Sequence, residues 1–481
     1  MSQIAHRNRE ALRARFRADP EGVVRAFAEG ESGPAAQEAQ ELLAQWLTLR
    51  GLRKERESEK KKVAAGFRGA SAAEREALKD EMRRASQRLE AAESQLRLHE
   101  TTLLELLHTA EAEALEEIAH GPPWMQSSAP PAGTSRDGLR IEPVEDGDEV
   151  AWAAYVAAHP RASLYHDFRW RFIVRETMGQ RCMGLVARDR TGEVCGVLPL
   201  FRLSSRLFGD FAVSVPYLNY GGPLADDSSV ESALVDAAAA RASIEGLDHL
   251  ELRELHPRDG WPARTDKVAM VRRMPGTAAE LGEELGAKIR SQIRRGEREG
   301  LYFEIGTGTP LLDAFYEVFA RNMRDLGTPV YARRFFSDIL RAFPSEARLV
   351  VGWRACRPVT GAFLLRHGHT MEIPWASTDR AVAALSVNMA LYWRVLTHAI
   401  DEGCRWFDFG RSTVDSGTHR FKEQWGACQI PMRWHYWLPS GKSLPALNPD
   451  NPKYHLMIAA WRKLPIVVTT WLGPPIVRSL P

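Results

Sequence analysis

The chain has 481 residues, of which 44% are hydrophobic and 26% charged, with a formal net charge of +2. This length excludes a single core, and the near-neutral charge gives no global case for binding nucleic acid, DNA included, so any such case depends on local patches. The five cysteines form no CxxC pair, which favours reduced thiols in a cytosol.

The N-terminal block, residues 1–121, predicts an antiparallel α-helical coiled-coil hairpin. Its second half carries a seam with alternating spacings of three and four residues, formed by Met82, Ala85, Leu89, Ala92, Leu96, His99, Leu103, Leu106 and Ala110. Leu43, Trp46, Leu49 and Leu52 begin a partner seam, and residues 66–71 supply the turn. The first 20 residues are too charged for a signal peptide.

Basic residues are concentrated toward the tip of this arm. Residues 50–68 hold eight basic and three acidic side chains, which suits contact with a phosphate backbone. The candidates are Arg53, Lys54, Lys60, Lys61 and Lys62. The alternative is a solvated coiled-coil surface, and an unpaired seam would also permit a homodimer through the arm.

Residues 122–138 are rich in Pro, Ser and Gly and predict a linker. Two mixed α/β units follow, 139–285 and 286–481. The first begins with a hairpin around 189–192, and the second predicts helix 383–402 followed by strand 405–409. Their similar layout favours a duplicated fold of the α/β (α+β) class. The apolar stretch 464–477 contains prolines and a glycine, which favours a docked tail over a membrane contact, and no run is long enough to span a bilayer.

Two motifs in the α/β region carry a family resemblance. One is Phe407-Asp408-Phe409-Gly410-Arg411-Ser412, followed by Phe421-Lys422 and Trp425-Gly426; the other is Tyr220-Gly221-Gly222-Pro223 with Asp226 behind it. They resemble the FemAB family, and most closely its subgroup associated with exosortase/PEP-CTERM systems. The resemblance implies tandem GNAT-like acyltransferase domains that transfer an amino acid from aminoacyl-tRNA to an amine.

The arm, over residues 8–120, is similar to the N-terminal arm of seryl-tRNA synthetases. That resemblance implies a tRNA partner, with seryl-tRNA as one candidate, and a cytoplasmic protein. The amine acceptor would be a small molecule, a peptide or an envelope precursor. No cofactor and no metal are expected, because the sequence shows no His/Cys ligand spacing.

The FemAB resemblance nominates catalytic residues. Lys422 would stabilise the oxyanion or the terminal phosphate of the tRNA, with a surface lysine as the alternative. Arg411 would contact phosphate or carboxylate, or else form an ion pair with Asp408 or Asp415. Asp226 would position or deprotonate the acceptor amine, or else act as a turn or helix cap.

Further residues are expected to contact substrate. Tyr220 would contact the acceptor unless it is simply a buried aromatic, and Phe421 would stack on the terminal adenine. Ser412 and Trp425 belong to the same motif, and His419 would take a proton unless it is an ordinary exposed loop histidine. A basic helical stretch containing Arg290 and Arg294 would meet tRNA or form a solvated face.

Two other functions remain open at this point. The first is an acyl-CoA-dependent N-acyltransferase of the same fold, although the glycine-rich turn that cradles a pyrophosphate is absent from 202–207 and 384–388. The second is a non-catalytic scaffold that binds tRNA or a protein partner.

Overall fold

The computed structural model describes residues 16, 19–30, 34–125, 130–133, 137–205, 208–445 and 452–480. These residues belong to two compact units, residues 1–117 and 118–481. Among the helices in these ranges, none combines the length and apolar character needed to cross a bilayer.

The first unit contains the predicted helical hairpin. Its helices are α1 (Pro20–Gly30), α2 (Pro34–Gly66) and α3 (Ala72–His120). Ion pairs from Arg53 to Glu93 (3.4 Å) and from Arg88 to Glu59 (2.6 Å) join α2 and α3, and their crossed numbering shows that the helices run antiparallel.

The predicted seam of α3 is buried or half-buried from Met82 to Leu106, and the side chain of Ala110 lies outside the described residues. Trp46, Leu103 and Leu107 form the centre of a small core at the far end from the turn. The helical hairpin is therefore confirmed, whereas dimerisation through the arm stays a prediction.

The second unit contains the α/β structure. Its helices are α4 (Glu149–Ala158), α5 (Arg169–Met178), α6 (Ser228–Ile244), α7 (Ala278–Glu284), α8 (Ala287–Arg298), α9 (Thr309–Leu326), α10 (Arg333–Ala342), α11 (Val387–Asp401), α12 (Gly417–Glu423), α13 (Pro452–Trp461) and α14 (Ile466–Val477). Its first ten strands are β1 (Arg140–Pro143), β2 (Arg181–Cys182), β3 (Leu185–Arg188), β4 (Val194–Leu198), β5 (Phe201–Ser205), β6 (Gly209–Val213), β7 (Leu224–Ala225), β8 (Leu250–Glu254), β9 (Ala263–Arg264) and β10 (Lys267–Arg273). The strands that follow are β11 (Tyr302–Gly306), β12 (Ala347–Arg354), β13 (Arg357–His367), β14 (Thr370–Thr378), β15 (Trp406–Thr413), β16 (Cys428–Pro431) and β17 (Arg433–Trp437).

These strands form three sheets with mostly antiparallel pairing. Their orders are β1-β3-β4-β7, β2-β5-β6-β8-β17-β9 and β11-β12-β13-β14-β15-β10-β16. Each half of the unit has one parallel pair among the described strands, β6 with β8 and β14 with β15. This repeated feature agrees with the predicted duplication, and the predicted mixed α/β class is confirmed.

The two halves exchange strands. β10 precedes the predicted boundary at 285/286 but pairs with β15 and β16, and β17 follows it but pairs with β8 and β9. The sheets therefore do not separate at that boundary, and the predicted domain limits stay a prediction.

The largest sheet is buried on both faces. Leu349 and Val351 of β12 contribute to the aromatic core around α9 and α10, whereas Val350 between them contributes to the core around α8 and α11. Alternate side chains of a strand point to opposite faces, so a strand covered on both sides is apolar throughout. A carboxylate inside such a strand is correspondingly unusual.

Candidate active site

Two carboxylates lie at a fork between the parallel strands β14 and β15. The strands pair at only three positions, and the last is Glu372 opposite Asp408. Beyond this position β14 continues to Thr378 and β15 to Thr413 without pairing to each other. The carboxylates therefore stand where the sheet opens.

Asp408 is held by a bulge in β15. The pairing of β15 with β10 shifts register between Ala269 and Val271, and Gly410, on the bulged side, has a φ of 73°. This left-handed conformation favours glycine. It brings the Gly410 amide to Asp408, which accepts its hydrogen bond through Oδ1 (2.7 Å). The Tyr220 hydroxyl donates to Oδ2 of the same carboxyl group.

Glu372 is held by side chains from the first half of the unit. The Tyr165 hydroxyl donates to Oε2 (2.5 Å), and the Asn219 side-chain amide donates to Oε1 (2.9 Å). Tyr165 belongs to a turn before α5, and Asn219 lies with Tyr220 in the loop after β6. Residues from both halves therefore complete the site.

Lys422 donates hydrogen bonds to backbone carbonyl groups of the bulge. Its Nζ donates to the carbonyl oxygens of Gly410 (3.0 Å) and Arg411 (2.9 Å), and the side chain is only 7% exposed. Lys422 lies on α12, whose first turn is capped by the Ser416 hydroxyl accepting from the His419 amide (3.2 Å). Two of the three ammonium protons are thus used within the protein, so the surface-lysine alternative is wrong.

Burial brings the pKa values of these three groups close to neutral pH. It raises the pKa of Asp408 to about 7, against the opposing effects of the Gly410 amide and the Lys422 charge. It also raises the pKa of Glu372 to about 7, against hydrogen bonds from Tyr165 and Asn219. Burial lowers the pKa of Lys422 to about 8, although both carboxylates favour its charged form. Groups with such pKa values exchange protons readily at neutral pH.

Two adjacent cavities reach this cluster. The larger is lined by Arg161, His166 and Tyr220 among others, and the smaller is lined by Tyr165, Tyr220 and Glu372 among others. Trp124 contributes to both walls.

Trp124 comes from the segment predicted to be a linker. Its ring lies 5.0 Å from that of Tyr220, and its indole N–H donates to Thr370 Oγ1 (3.3 Å). The next residue, Met125, is fully buried. The turn that contains Trp124 and Met125, within the predicted linker 122–138, is therefore packed against the α/β structure.

His166 is not available as a base. Its Nδ1 accepts from the Ser163 amide (3.0 Å), and its Nε2 donates to the Gly222 carbonyl (3.1 Å). Burial lowers the pKa of His166 to about 3, so the ring is neutral. It fixes the wall of the larger cavity.

Of the residues nominated from sequence, Tyr220 and Lys422 lie in the cluster. Arg411 contributes its backbone carbonyl, but its side chain is exposed and stacks 5.1 Å over the ring of Trp434. No ion pair joins Arg411 to Asp408 or Asp415 within the described ranges, so that alternative finds no support.

The remaining motif residues are mostly structural. Trp425 is fully buried, and Phe421 packs edge-on against Tyr392 (4.9 Å), so their positions give no support to substrate contacts. Ser412 is buried, 4% exposed, and its hydroxyl has no partner among the described residues. His419 is buried on α12 rather than exposed in a loop, with Nε2 3.2 Å from Gln429 Oε1.

Asp226 lies apart from the cluster. It is exposed at the end of β7, where the Tyr155 hydroxyl donates to its Oδ1 (3.0 Å). Among the described contacts, no hydrogen bond joins it to Lys422 or Asp408. Its catalytic role therefore stays a prediction without support from its position.

The candidate tRNA contacts differ in availability. Lys54, Lys61 and Lys62 are exposed and Lys60 is half-buried, whereas Arg53 is half-buried and paired with Glu57 and Glu93. On α8, Arg294 is exposed, but Arg290 donates to the carbonyl groups of Gly282 and Leu285 at the end of α7. Arg290 is thus already used as a helix cap.

Sequence reasoning missed Glu372, Tyr165, Asn219 and Trp124 and treated Asp408 only as an ion-pair partner. One signal was present: Glu372 and Asp408 each interrupt an apolar strand. A carboxylate in a buried strand costs free energy unless it is paired or protonated, so such a position points to function. The tyrosines carry no comparable signal.

A second polar cluster has ligand atoms close enough to share a cation. It consists of Glu231, Glu254 and His256. Arg258 already donates to both carboxylates, at 2.7 Å and 2.5 Å. Hydrogen bonds from His435 and Arg258 outweigh burial and lower the pKa of Glu254 to about 2. The donor set therefore fits an internal ion-pair network better than a metal site.

Several solved structures are similar to the chain. FemX is 14% identical, with 66% of this chain and 100% of that chain covered and a TM-score of 0.49. L-PGS from Bacillus licheniformis is 11% identical, with 68% and 98% covered and a TM-score of 0.44. A tandem GNAT protein from the clavulanic acid biosynthesis pathway is 15% identical, with 64% and 100% covered and a TM-score of 0.40. Similarity at this level indicates no activity for the present chain.

Comparison of the sequence with curated proteins and with family models gives two results. No curated protein sequence matches the chain significantly. The family model described as "Acetyltransferase (GNAT) domain" matches residues 285–423, a range that includes Glu372, Asp408 and Lys422. Residues 285–423 therefore match a GNAT acetyltransferase domain, which confirms the predicted GNAT-like fold, and the forked carboxylates lie within this range.

Proposed function

We propose that the protein is an acyltransferase that joins an activated acyl group to an amine. The observation that carries this proposal is the pair of buried carboxylates at the fork of β14 and β15, with pKa values near 7, inside a GNAT domain. An amine that attacks an acyl group must lose a proton, and a group with a pKa near ambient pH is suited to accept it.

The route of that proton passes through Tyr220. Asp408 is fully buried, whereas Tyr220 lines both cavities and donates its hydroxyl proton to Asp408. As the amine nitrogen bonds to the acyl carbon, Tyr220 passes its proton to the Asp408 carboxylate and takes one from the amine. The carbon–oxygen bond of the donor ester breaks, and the proton finally leaves with that oxygen.

Lys422 would act mainly on the relay. Its ammonium is bound to two backbone carbonyls and favours the ionised carboxylates through its charge. It thus keeps Asp408 able to accept a proton near neutral pH. Lys422 is a positioning residue in this scheme, and direct contact with an oxyanion would use its one remaining proton.

We further propose aminoacyl-tRNA as the acyl donor. The residues before α11 contain no glycine, and Ser386 has a φ of 60°. The neighbouring helix α8 approaches closely, so that a Cβ at Gly296 would lie 2.9 Å from the Ser386 carbonyl oxygen. This crowding argues against a pyrophosphate cradle at that helix terminus. Exposed lysines at the tip of the arm favour a polyanionic donor.

The acceptor would be an amine of a small molecule, peptide or envelope precursor bound in the larger cavity, with the reaction in the cytoplasm, where charged tRNA is found. Acyl-CoA remains the alternative donor, because the matching family model describes acetyltransferases.

The proposal is tested by incubating the purified protein with total charged tRNA or with acetyl-CoA, each with a mixture of amine acceptors. Deacylation of tRNA that depends on acceptor supports the tRNA donor, and consumption of acetyl-CoA alone supports the alternative. Tyr220→Phe should abolish turnover. Tyr316→Phe is the matched control, since the Tyr316 hydroxyl donates to the Tyr331 carbonyl oxygen outside the cluster. Full activity of Tyr220→Phe would contradict the relay. Binding of tRNA without turnover would favour the non-catalytic scaffold instead of the enzyme.

The arm is tested separately by filter binding of tRNA across a salt series. Reversing Lys54, Lys61 and Lys62 to Glu should weaken binding and reduce the slope of log affinity against log salt by about 2–3. Lys79→Glu with Arg83→Glu is the control, because these exposed cations of α3 lie outside residues 50–68, where the basic side chains of the arm are concentrated. An unchanged slope in the triple variant would show that these lysines of the arm do not bind tRNA.

A further inference from the structure

The C-terminal helix α14 contacts the rest of its unit through small residues. Thr469, Gly473 and Val477 recur at every fourth position and are buried. Gly473 approaches the backbone of Val330 so closely that a Cβ would lie 2.8 Å from its nitrogen. The helix is therefore docked, as the sequence predicted, through Thr469, Gly473 and Val477, with the half-buried Ile466 packed against the same core.

Three other apolar side chains of α14 are exposed to solvent. Val467 is 79% exposed, Trp471 76% and Leu472 36%, and Met457 on the preceding helix α13 is 60% exposed. Single exposed apolar residues are ordinary on soluble proteins, but a row of them on one helix face marks an interaction surface.

The charged side chains of the C-terminal segment have one sign. Residues 452–480 contain no Asp or Glu and four basic residues, Lys453, Arg462, Lys463 and Arg478. Arg462 and Lys463 precede α14 and Arg478 follows it, and all three are exposed. An exposed Trp between cations is typical of helices that lie in a membrane interface, where headgroups are anionic.

We propose that this face, formed by Val467, Trp471, Leu472 and the flanking cations Arg462, Lys463 and Arg478, binds the surface of an anionic phospholipid bilayer. The helix has 12 residues, about 18 Å of length, and contains Pro474 and Pro475. It therefore lies along the interface and does not span it. A second copy of the chain is a poorer occupant, since it would bring cations together and residues 452–480 offer no acidic side chain to pair them.

Co-sedimentation of the full-length protein with vesicles tests this inference. The vesicles are phosphatidylcholine alone and phosphatidylcholine mixed with phosphatidylglycerol. We expect binding to the mixed vesicles and little to the neutral ones. Val467→Ser with Trp471→Ser should weaken binding about tenfold or more, because two apolar side chains no longer enter the interface. Lys463→Glu with Arg478→Glu should weaken it about tenfold or more and reduce its salt dependence.

The matched control is Val150→Ser with Ile244→Ser. These residues are 81% and 86% exposed on α4 and α6, outside the C-terminal face. The control should bind like the unmodified protein, and circular dichroism should show equal folding of all variants. Failure of the unmodified protein to bind mixed vesicles would overturn the inference. So would unchanged binding after the Val467/Trp471 change, or a dimer without vesicles that this change dissociates. None of these outcomes bears on the proposed acyl transfer.

Discussion

Replacing Asp408 by Asn tests whether this carboxyl group is protonated near neutral pH. Asn keeps the shape of the side chain and the acceptor for the Gly410 amide, but it cannot ionise. In the protein, burial raises the Asp408 pKa from 3.8 to about 7. Between pH 5 and pH 7 the unfolded chain has released this proton, whereas the folded chain still holds it.

The magnitude follows from that difference. The unfolded state binds fewer protons in this window, so the free energy of unfolding falls as pH rises, by up to about 1.36 kcal/mol per pH unit, or roughly 2.3 kcal/mol from pH 5 to pH 7. Above pH 7 both states are ionised and the loss levels off. Asp408→Asn removes this pH-dependent loss of stability. The free energy of unfolding of the variant, relative to that of the unmodified protein, should therefore be about 3 kcal/mol higher at pH 8.5 than at pH 5.

The assay is thermal unfolding at both pH values. Residues 118–481 have an unfolding entropy of about 0.8 kcal/mol/K, so the gain appears as a Tm difference about 3–4 °C larger at pH 8.5 than at pH 5. The control is Asp189→Asn, since the hydrogen bond from the Thr191 hydroxyl holds the pKa of Asp189 below its ordinary value, so this carboxyl group is ionised at both pH values. It should show no such gain. An Asp408→Asn difference that is the same at both pH values would refute the raised pKa and the relay built on it.

Two further predictions concern the bulge and the close helix contact. Lys422→Met removes the charge that favours ionised Asp408, so the acid limb of the pH–rate profile should move up by about one unit and activity at pH 7 should fall about fivefold. An unmoved limb would contradict the positioning role. Gly296→Ala places a Cβ 2.9 Å from the Ser386 carbonyl oxygen and should destabilise the protein by about 1–3 kcal/mol in denaturant unfolding. Gly282→Ala is its control, because its nearest neighbour would be 3.7 Å away, and a helical alanine there should stabilise by up to about 1 kcal/mol. Equal effects of the two substitutions would argue against the tight contact of α8 with α11.

Local pattern was enough for most elements of the fold. The seam from Met82 to Leu106 predicted the long helix α3, and turn residues between two apolar runs predicted the β3–β4 hairpin. These features depend on neighbours within a few residues, which the sequence displays directly. The exchange of β10 and β17 between the sheets was not predicted, since strand partners far apart in sequence leave no periodic signal.

The site was predicted only in part for the same reason. Lys422 and Tyr220 were found through a family motif. Tyr165 and Glu372 are 207 residues apart, and Tyr220 and Asp408 are 188 apart. No spacing rule connects them, so only the packing of the two halves shows that each tyrosine meets a carboxylate.

The sequence by itself determined the arm, the α/β class and the Gly-Arg-Ser motif at the end of a strand, because helical and strand periods and a glycine at a bulge are local properties. Tertiary structure decided which groups share the fork and what their pKa values are, since burial and charge neighbours do not exist in an extended chain. It also decided which face of the C-terminal helix is free. The sequence showed an apolar tail, and only its packing through Gly473 left Trp471 in solvent.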